Sequence, residues 1–179
     1  TLLTATDYEF MLRDSRARAL IVSEALYPAF APLMGKLPLL KHVIVSGENA
    51  QGHLSLQDLM ARAGKAFETA QTTRDDACFW LYSSGSTGTP KGTVHIHSSL
   101  IYTAELYARP VLGIRESDVV YSAAKLFFAY GLGNGLTFPL SVGATTVLAA
   151  DRPTPQSVFK HLKEQQPTIF YGVPTLYAA

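Results

Sequence analysis

Cys78-Phe79-Trp80-Leu81-Tyr82 runs without a break into Ser83-Ser84-Gly85-Ser86-Thr87-Gly88-Thr89-Pro90-Lys91-Gly92. The first part is an apolar run of strand length, of the kind buried on both faces in parallel sheets. The second packs five serines and threonines, three glycines and one lysine behind Tyr82. Glycine lets the backbone take unusual dihedrals and approach a ligand closely. Successive N–H groups in such a turn form a concave anion site. The hydroxyls add donors, and Lys91 adds a mobile positive charge suited to phosphate. A loop that follows a buried strand directly lies at its carboxyl end, where open α/β sheets place their ligands.

Two other readings of the loop fail. A flexible Gly/Ser linker needs neither a buried strand before it nor a Pro-Lys-Gly ending. The nucleotide loop of strand–loop–helix NTPases, counted from Gly85, requires Gly at 90 and Ser or Thr at 92. The chain has Pro90 and Gly92 there.

Outward from the loop, short β-branched and aromatic runs alternate with helical patterns. Ala19–Val22, His42–Val45, Val94–His97, Val119–Ser122, Ala144–Leu148 and Thr168–Tyr171 read as strands. Thr6 and Glu9 fit a capping box. Glu24–Met34 reads as a short or kinked helix because Pro28 and Pro32 interrupt it. Ser55 is placed to cap a helix whose apolar face carries Leu56, Leu59, Met60, Ala63 and Phe67. Ser98 or Ser99 is placed to cap another, through about Tyr107. Gly143 reads as a helix stop. Thr154-Pro155 opens a helix with Val158, Phe159 and Leu162 inward. The alternation predicts an α/β fold: a layered, largely parallel sheet flanked by helices.

The chain has 179 residues, 47% hydrophobic and 16% charged, which predicts one well-buried globular domain. A net charge of +1 argues against nucleic acid or an acidic membrane surface as partner. Cys78 is the only cysteine, so no internal disulfide forms, and its apolar setting predicts an inert buried thiol. Without a long apolar run or leader pattern, a cytoplasmic location is expected. Both ends read as cut, so the expectation is a partial domain over residues 1–179.

The eleven residues Tyr82–Gly92 resemble, at essentially every position, the phosphate-binding signature of the adenylate-forming superfamily of acyl- and aryl-CoA synthetases, peptide-synthetase adenylation domains and luciferases. Within it, Ala104–Tyr107, Ser122–Asn134 and Phe170–Tyr177 look most like benzoate–CoA ligases and their 4-hydroxybenzoate relatives. The resemblance implies part of that family's large N-terminal domain, with a C-terminal domain lying elsewhere. It implies ATP with Mg2+ and coenzyme A as the molecules used, and an aromatic carboxylic acid as substrate. Thr87 and Lys91 would act on the triphosphate, and Ser83, Ser84, Gly85, Ser86, Thr87, Gly88, Thr89, Lys91 and Gly92 would line its site. Phe128, Ala129, Tyr130 and Gly131 would contact the acid's ring, while Phe127 stays in the core.

Pattern alone reads the aromatic cluster as core, and only the resemblance reverses that for Phe128–Gly131. An aliphatic acid, a carrier-protein adenylation domain and a non-catalytic nucleotide-binding module remain as alternatives. His95 and His97 share a strand face in this reading, but with no further ligand nearby no metal site is expected. Phe79 and Trp80 are expected in the core, and Arg115, Glu116 and Asp118 in a solvated turn.

Overall fold

The computed structural model describes residues 3–83 and 88–179. They fall into two compact units, one of residues 3–72 with 82–83 and 88–94 and one of residues 73–81 with 95–179.

In the first unit, α1 (Ala5–Asp14) is capped by Thr4. The Asp7 N–H donates to Thr4 Oγ1 at 3.3 Å, and the Thr4 N–H donates to the Asp7 carboxylate at 2.8 Å. The box therefore begins two residues before the predicted Thr6. The longer helix brings Ala5, Tyr8 and Leu12 to one buried face, with Tyr8 stacked 4.2 Å from Phe30. β1 (Ala19–Ser23) pairs in parallel with β2 (His42–Ser46). Between them the two prolines break the chain into 3-10 turns at Glu24–Leu26 and Ala31–Leu33 around a short α2 (Tyr27–Phe30). Leu20, Val22 and Val45 are buried, yet Ile21 is 64% exposed. β1 is thus covered on one face only. β3 (Leu54–Ser55) extends the sheet in parallel. Ser55 caps α3 (Leu56–Arg62), as expected. That helix stops before Ala63 and never reaches Phe67, which is exposed. Gly64 follows at once and is a poor helix former.

β4 (Ala77–Ser83) and β5 (Lys91–Ile96) form a two-stranded sheet. With no third strand beside them among the described residues, Cys78 and Trp80 are exposed, against the expectation of a buried thiol and a core indole. His97 is not on the strand: it opens α4 (His97–Thr103), so the two histidines do not share a strand face. His95 instead stacks on Phe79 at 4.8 Å. α4 continues as a π-helix, Ala104–Leu112, that contains Pro110 and ends at Gly113. A proline lacks the N–H that an α-helical ladder requires, which favours such a widened turn.

The second unit is organised by β6 (Val119–Ser122), which lies between β7 (Thr145–Val147) and β8 (Ile169–Tyr171), all parallel. β6 leads through α5 (Ala129–Leu132), a π-helical stretch Gly133–Thr137 and α6 (Phe138–Val142) to β7. α7 (Pro155–Gln165) then carries the chain to β8, and α8 (Pro174–Tyr177) follows. Val120 and Tyr171 pack with Ala104, Ala108 and Phe138 on one face of the sheet. Tyr121 and Phe170 pack with Val158 and Leu162 of α7 on the other. This is the layered α/β arrangement that the alternating pattern predicted. Thr154 caps α7 in a box with Ser157. Phe159, expected inward, is 70% exposed, because Val158 and Leu162 four apart fix the buried stripe and the next residue turns away from it. Among the described residues no helix is long and apolar enough to cross a membrane.

Candidate functional site

Of the loop that the sequence singled out, Ser84, Gly85, Ser86 and Thr87 lie outside the described residues. Ser83 ends β4 and is exposed. Gly88 has φ +84, a conformation that L side chains rarely adopt, with open space where a Cβ would stand. Thr89 is exposed, Pro90 is buried, and Lys91 begins β5 exposed to solvent. Gly92 has a packing reason for its identity. A Cβ there would stand 2.9 Å from the Tyr82 ring. That ring is held by its hydroxyl, which donates to the Asp14 carboxylate at 2.7 Å. Burial above all, then the bond to Asp14 and its negative charge, pushes the Tyr82 hydroxyl up to about 12. Behind the loop is thus a strand pair braced by a neutral tyrosine. Among the described loop residues, Lys91 is exposed and Gly88 has an open, positive-φ backbone.

The second predicted cluster has a different origin. From β6 the chain goes to β7 on one side and from β7 crosses to β8 on the other, with helices on opposite faces of the sheet. The loops after β6 and β8 therefore emerge side by side at the carboxyl ends of neighbouring parallel strands, the usual ligand position in such sheets. Phe128 lies there as the N-cap residue of α5, with Ala129 and Tyr130 in its first turn. All three are exposed, as is Phe127, whose ring lies 4.5 Å from that of Phe128. Phe127 was expected in the core; with Phe128 it forms an outward aromatic pair instead. The Tyr130 hydroxyl donates to the Gly172 carbonyl oxygen at 3.3 Å, tying the loop after β6 to the loop after β8.

Gly131 is buried, and a Cβ on it would stand 2.0 Å from the Lys125 carbonyl oxygen. No side chain fits there, so the helix approaches the 124–125 backbone only because residue 131 is glycine.

Several residues near the carboxyl end of this sheet escaped the sequence reading. The Lys125 ammonium donates to the carbonyl oxygens of Ala149 and Asp151 and so clips the loop after β6 to the loop after β7. A cleft of about 200 Å³ lies beside it, lined by Ser122, Ala124, Leu126, Gly135 and Val147 among others. A lysine inside an otherwise apolar run was the available signal, since lysine is rarely buried without partners. Asp151 also pairs with His161 at 3.0 Å. Tyr171, Gly172 and Asn134 carried no such signal. The predicted turn is confirmed: the Arg115 N–H donates to Asp118 at 2.7 Å, and that bond, then one from Thr168, holds the Asp118 carboxyl low.

The family described as AMP-binding enzyme matches residues 1–179, the whole chain. The chain belongs to that family. Among relatives of this AMP-binding chain, the benzoate–CoA ligase of Thauera aromatica is 67% identical over all 179 residues, which are 34% of that protein. The 4-hydroxybenzoate–CoA/benzoate–CoA ligase of Rhodopseudomonas palustris is 47% identical over the same span, 33% of its length. A crystal structure of a benzoate CoA ligase from Burkholderia xenovorans LB400 superposes with a TM-score of 0.88 at 54% identity, covering 99% of this chain and 34% of that one. The anthranilate CoA ligase AuaEII in complex with anthranoyl-AMP gives a TM-score of 0.93 at 43% identity, with the same coverage. The AMP-binding chain therefore spans about a third of the length of the relatives it matches.

Proposed function

We propose that these residues are part of the large domain of an acid–thiol ligase that activates an aromatic carboxylic acid with ATP and transfers it to coenzyme A. The observation that carries the acid class is the exposed run Phe128, Ala129 and Tyr130 at the carboxyl end of β6, joined to the loop after β8 by the bond from Tyr130 to Gly172. A flat ring suits such a surface, with Ala129 leaving room beside two aromatic side chains. Family membership and the aryl ligases among the relatives support the chemistry.

In the proposed reaction the carboxylate oxygen attacks the α-phosphorus of ATP, pyrophosphate leaves, and an aryl-adenylate results. The coenzyme A thiol then attacks the acyl carbon, AMP leaves, and the aryl thioester forms. Catalysis of the first step rests on alignment and on neutralising phosphate charge. Thr87 and the amides of the 83–92 loop would hold the triphosphate, and Lys91 would offset the charge that builds on departing pyrophosphate. Among the described residues no group of three His, Cys, Asp or Glu is placed to hold a metal ion, so Mg2+ enters this proposal as the counter-ion of ATP. The reaction is assigned to the cytoplasm, where ATP and coenzyme A are at hand. Adenine, ribose and thiol contacts are assigned to the rest of the parent chain, so the 179 residues alone are expected to turn over nothing.

The test is acid-dependent ATP–pyrophosphate exchange by the full-length parent protein. Exchange with benzoate and its hydroxylated forms, and none with acetate or a medium-chain fatty acid, is the expected result. Exchange with aliphatic acids alone overturns the aromatic slot. A folded protein that binds ATP and exchanges with no acid overturns the ligase reading in favour of a binding module.

A further inference from the structure

Two contacts seat the segment Phe128–Gly131 on a single residue, Lys125. The Phe128 N–H donates to the Lys125 carbonyl oxygen at 3.0 Å. Gly131 lies so close to the same oxygen that no Cβ fits between them. Whatever fixes the backbone at Lys125 therefore fixes the start of α5 and the aromatic side chains on it.

The Lys125 side chain is tied to a different strand. Its ammonium donates to the carbonyl oxygens of Ala149 and Asp151, in the loop after β7. A lysine normally extends its ammonium into water, and here two of its three donors go to main-chain oxygens instead. The loop that receives them is itself anchored to α7. The Asp151 carboxylate pairs with His161 Nε2 at 3.0 Å, and Thr154 caps the helix. Packing does not close the gap between the two loops. The β6–β7 pairing ends at Tyr121 and Val147. Beyond it Ala124 and Leu126 on one side, and Leu148 and Ala149 on the other, line a cleft of about 200 Å³. Atoms that face open space have no dispersion partners across it, so the ammonium is what joins the two sides there.

We propose that Lys125 is a positioning residue for the aromatic acid: by holding the loop after β7, its ammonium fixes the backbone on which Phe128–Gly131 rest. The proposal rests on the aromatic-acid reading above and deepens it. Lys125 does not have to touch the acid. Without its ammonium the Ala149 and Asp151 carbonyl oxygens lose their donor, and the seat of α5 is free to shift. A displaced slot binds its ring less well, while the 83–92 loop shares none of these contacts.

The experiment measures ATP–pyrophosphate exchange by the full-length parent protein, unmodified and as Lys125→Met, Lys125→Arg and Asp151→Ala. In Lys125→Met the KM for benzoate should rise about ten-fold, with the KM for ATP within about two-fold of its original value. Loss of folded protein would lower the rate at saturation and leave both KM values alone, so the split separates positioning from mere stability. Lys125→Arg keeps the charge and several donors, and should bring the benzoate KM back to within about three-fold. Asp151→Ala keeps the carbonyl, cuts the tie to His161 at an exposed position, and should raise the benzoate KM about three-fold; it decides the matter if Lys125→Met does not fold. A benzoate KM that moves by less than about two-fold in Lys125→Met, or one that rises together with the KM for ATP, overturns the proposal and leaves the aromatic-acid reading standing. Unmodified protein that exchanges with no aromatic acid sinks that reading itself, and does so before any variant is compared.

Discussion

The stretch after β4 carries its chemistry in consecutive residues, whereas the stretch after β6 carries little until β8 is laid beside it. From Ser83 to Gly92 the glycines, hydroxyls and lysine are all present in one run of chain. From Phe128 to Gly131 there are two aromatics, an alanine and a glycine, a composition equally at home in a core. They come to stand beside the loop after β8 because β8 pairs with β6 and Tyr130 reaches across to Gly172. A phosphate site made of backbone amides is local; a slot for a ring is a property of topology. The two should respond differently to substitution.

The largest effect is expected at Gly131. Its added Cβ would meet the Lys125 and Ala124 carbonyl oxygens at 2.0 and 2.6 Å, which are backbone atoms that cannot swing aside. Gly131→Ala should destabilise by about 3 kcal/mol or more in denaturant unfolding. A loss of under about 1 kcal/mol would mean that the slot helix is not pinned by this contact.

Lys91→Ala should leave unfolding nearly unchanged, because the side chain is exposed, and lower acid-dependent pyrophosphate exchange about 100-fold. Equal losses of stability and activity would erase the distinction between a local site and a packed one.

Gly92→Ala sits between the two cases. Its Cβ would meet the edge of the Tyr82 ring at 2.9 Å, and a side chain yields more readily than backbone, so a loss of about 1 kcal/mol is expected from thermal or denaturant unfolding. Combining it with Tyr82→Ala should recover part of that loss.

The smallest effect is in alkaline titration. The hydroxyls of Tyr82 and Tyr171 are both pushed up to about 12 from an ordinary 10.0, in each case chiefly by burial. A phenol whose folded value is raised holds its proton longer folded than unfolded. Its contribution is therefore complete below pH 10 and is lost as pH rises towards 12. Stability should fall across that window. Tyr171→Phe and Tyr82→Phe should each flatten the slope by a similar amount.

Much of the architecture was legible in residue patterns. The strand runs at 19–22, 42–45, 119–122 and 168–171 fall where strands form, and Ser55 and Thr154 cap the helices assigned to them. The errors share one cause. Ile21, Cys78, Trp80, Phe127 and Phe159 are apolar or soft side chains expected inside that the structure leaves exposed. Periodicity reports that a residue prefers burial, and only neighbouring elements decide whether a layer covers it. Thr4 and Asp7 won the first cap over Thr6 and Glu9 by the same logic, because the longer helix buries Tyr8 against Phe30.

The sequence by itself determined that this is a layered α/β chain and singled out the glycine- and hydroxyl-rich run behind Tyr82, since alternation, caps and a contiguous signature are local properties. It also named Phe128–Gly131. Only the tertiary structure decided that Tyr130 is joined to Gly172 of the loop after β8 and that Gly131 is fixed by the carbonyl oxygens of Ala124 and Lys125. Hydrogen bonds and steric contacts join residues far apart in the chain, as Tyr130 and Gly172 are at 42 positions and Tyr82 and Asp14 at 68, and no local pattern records them.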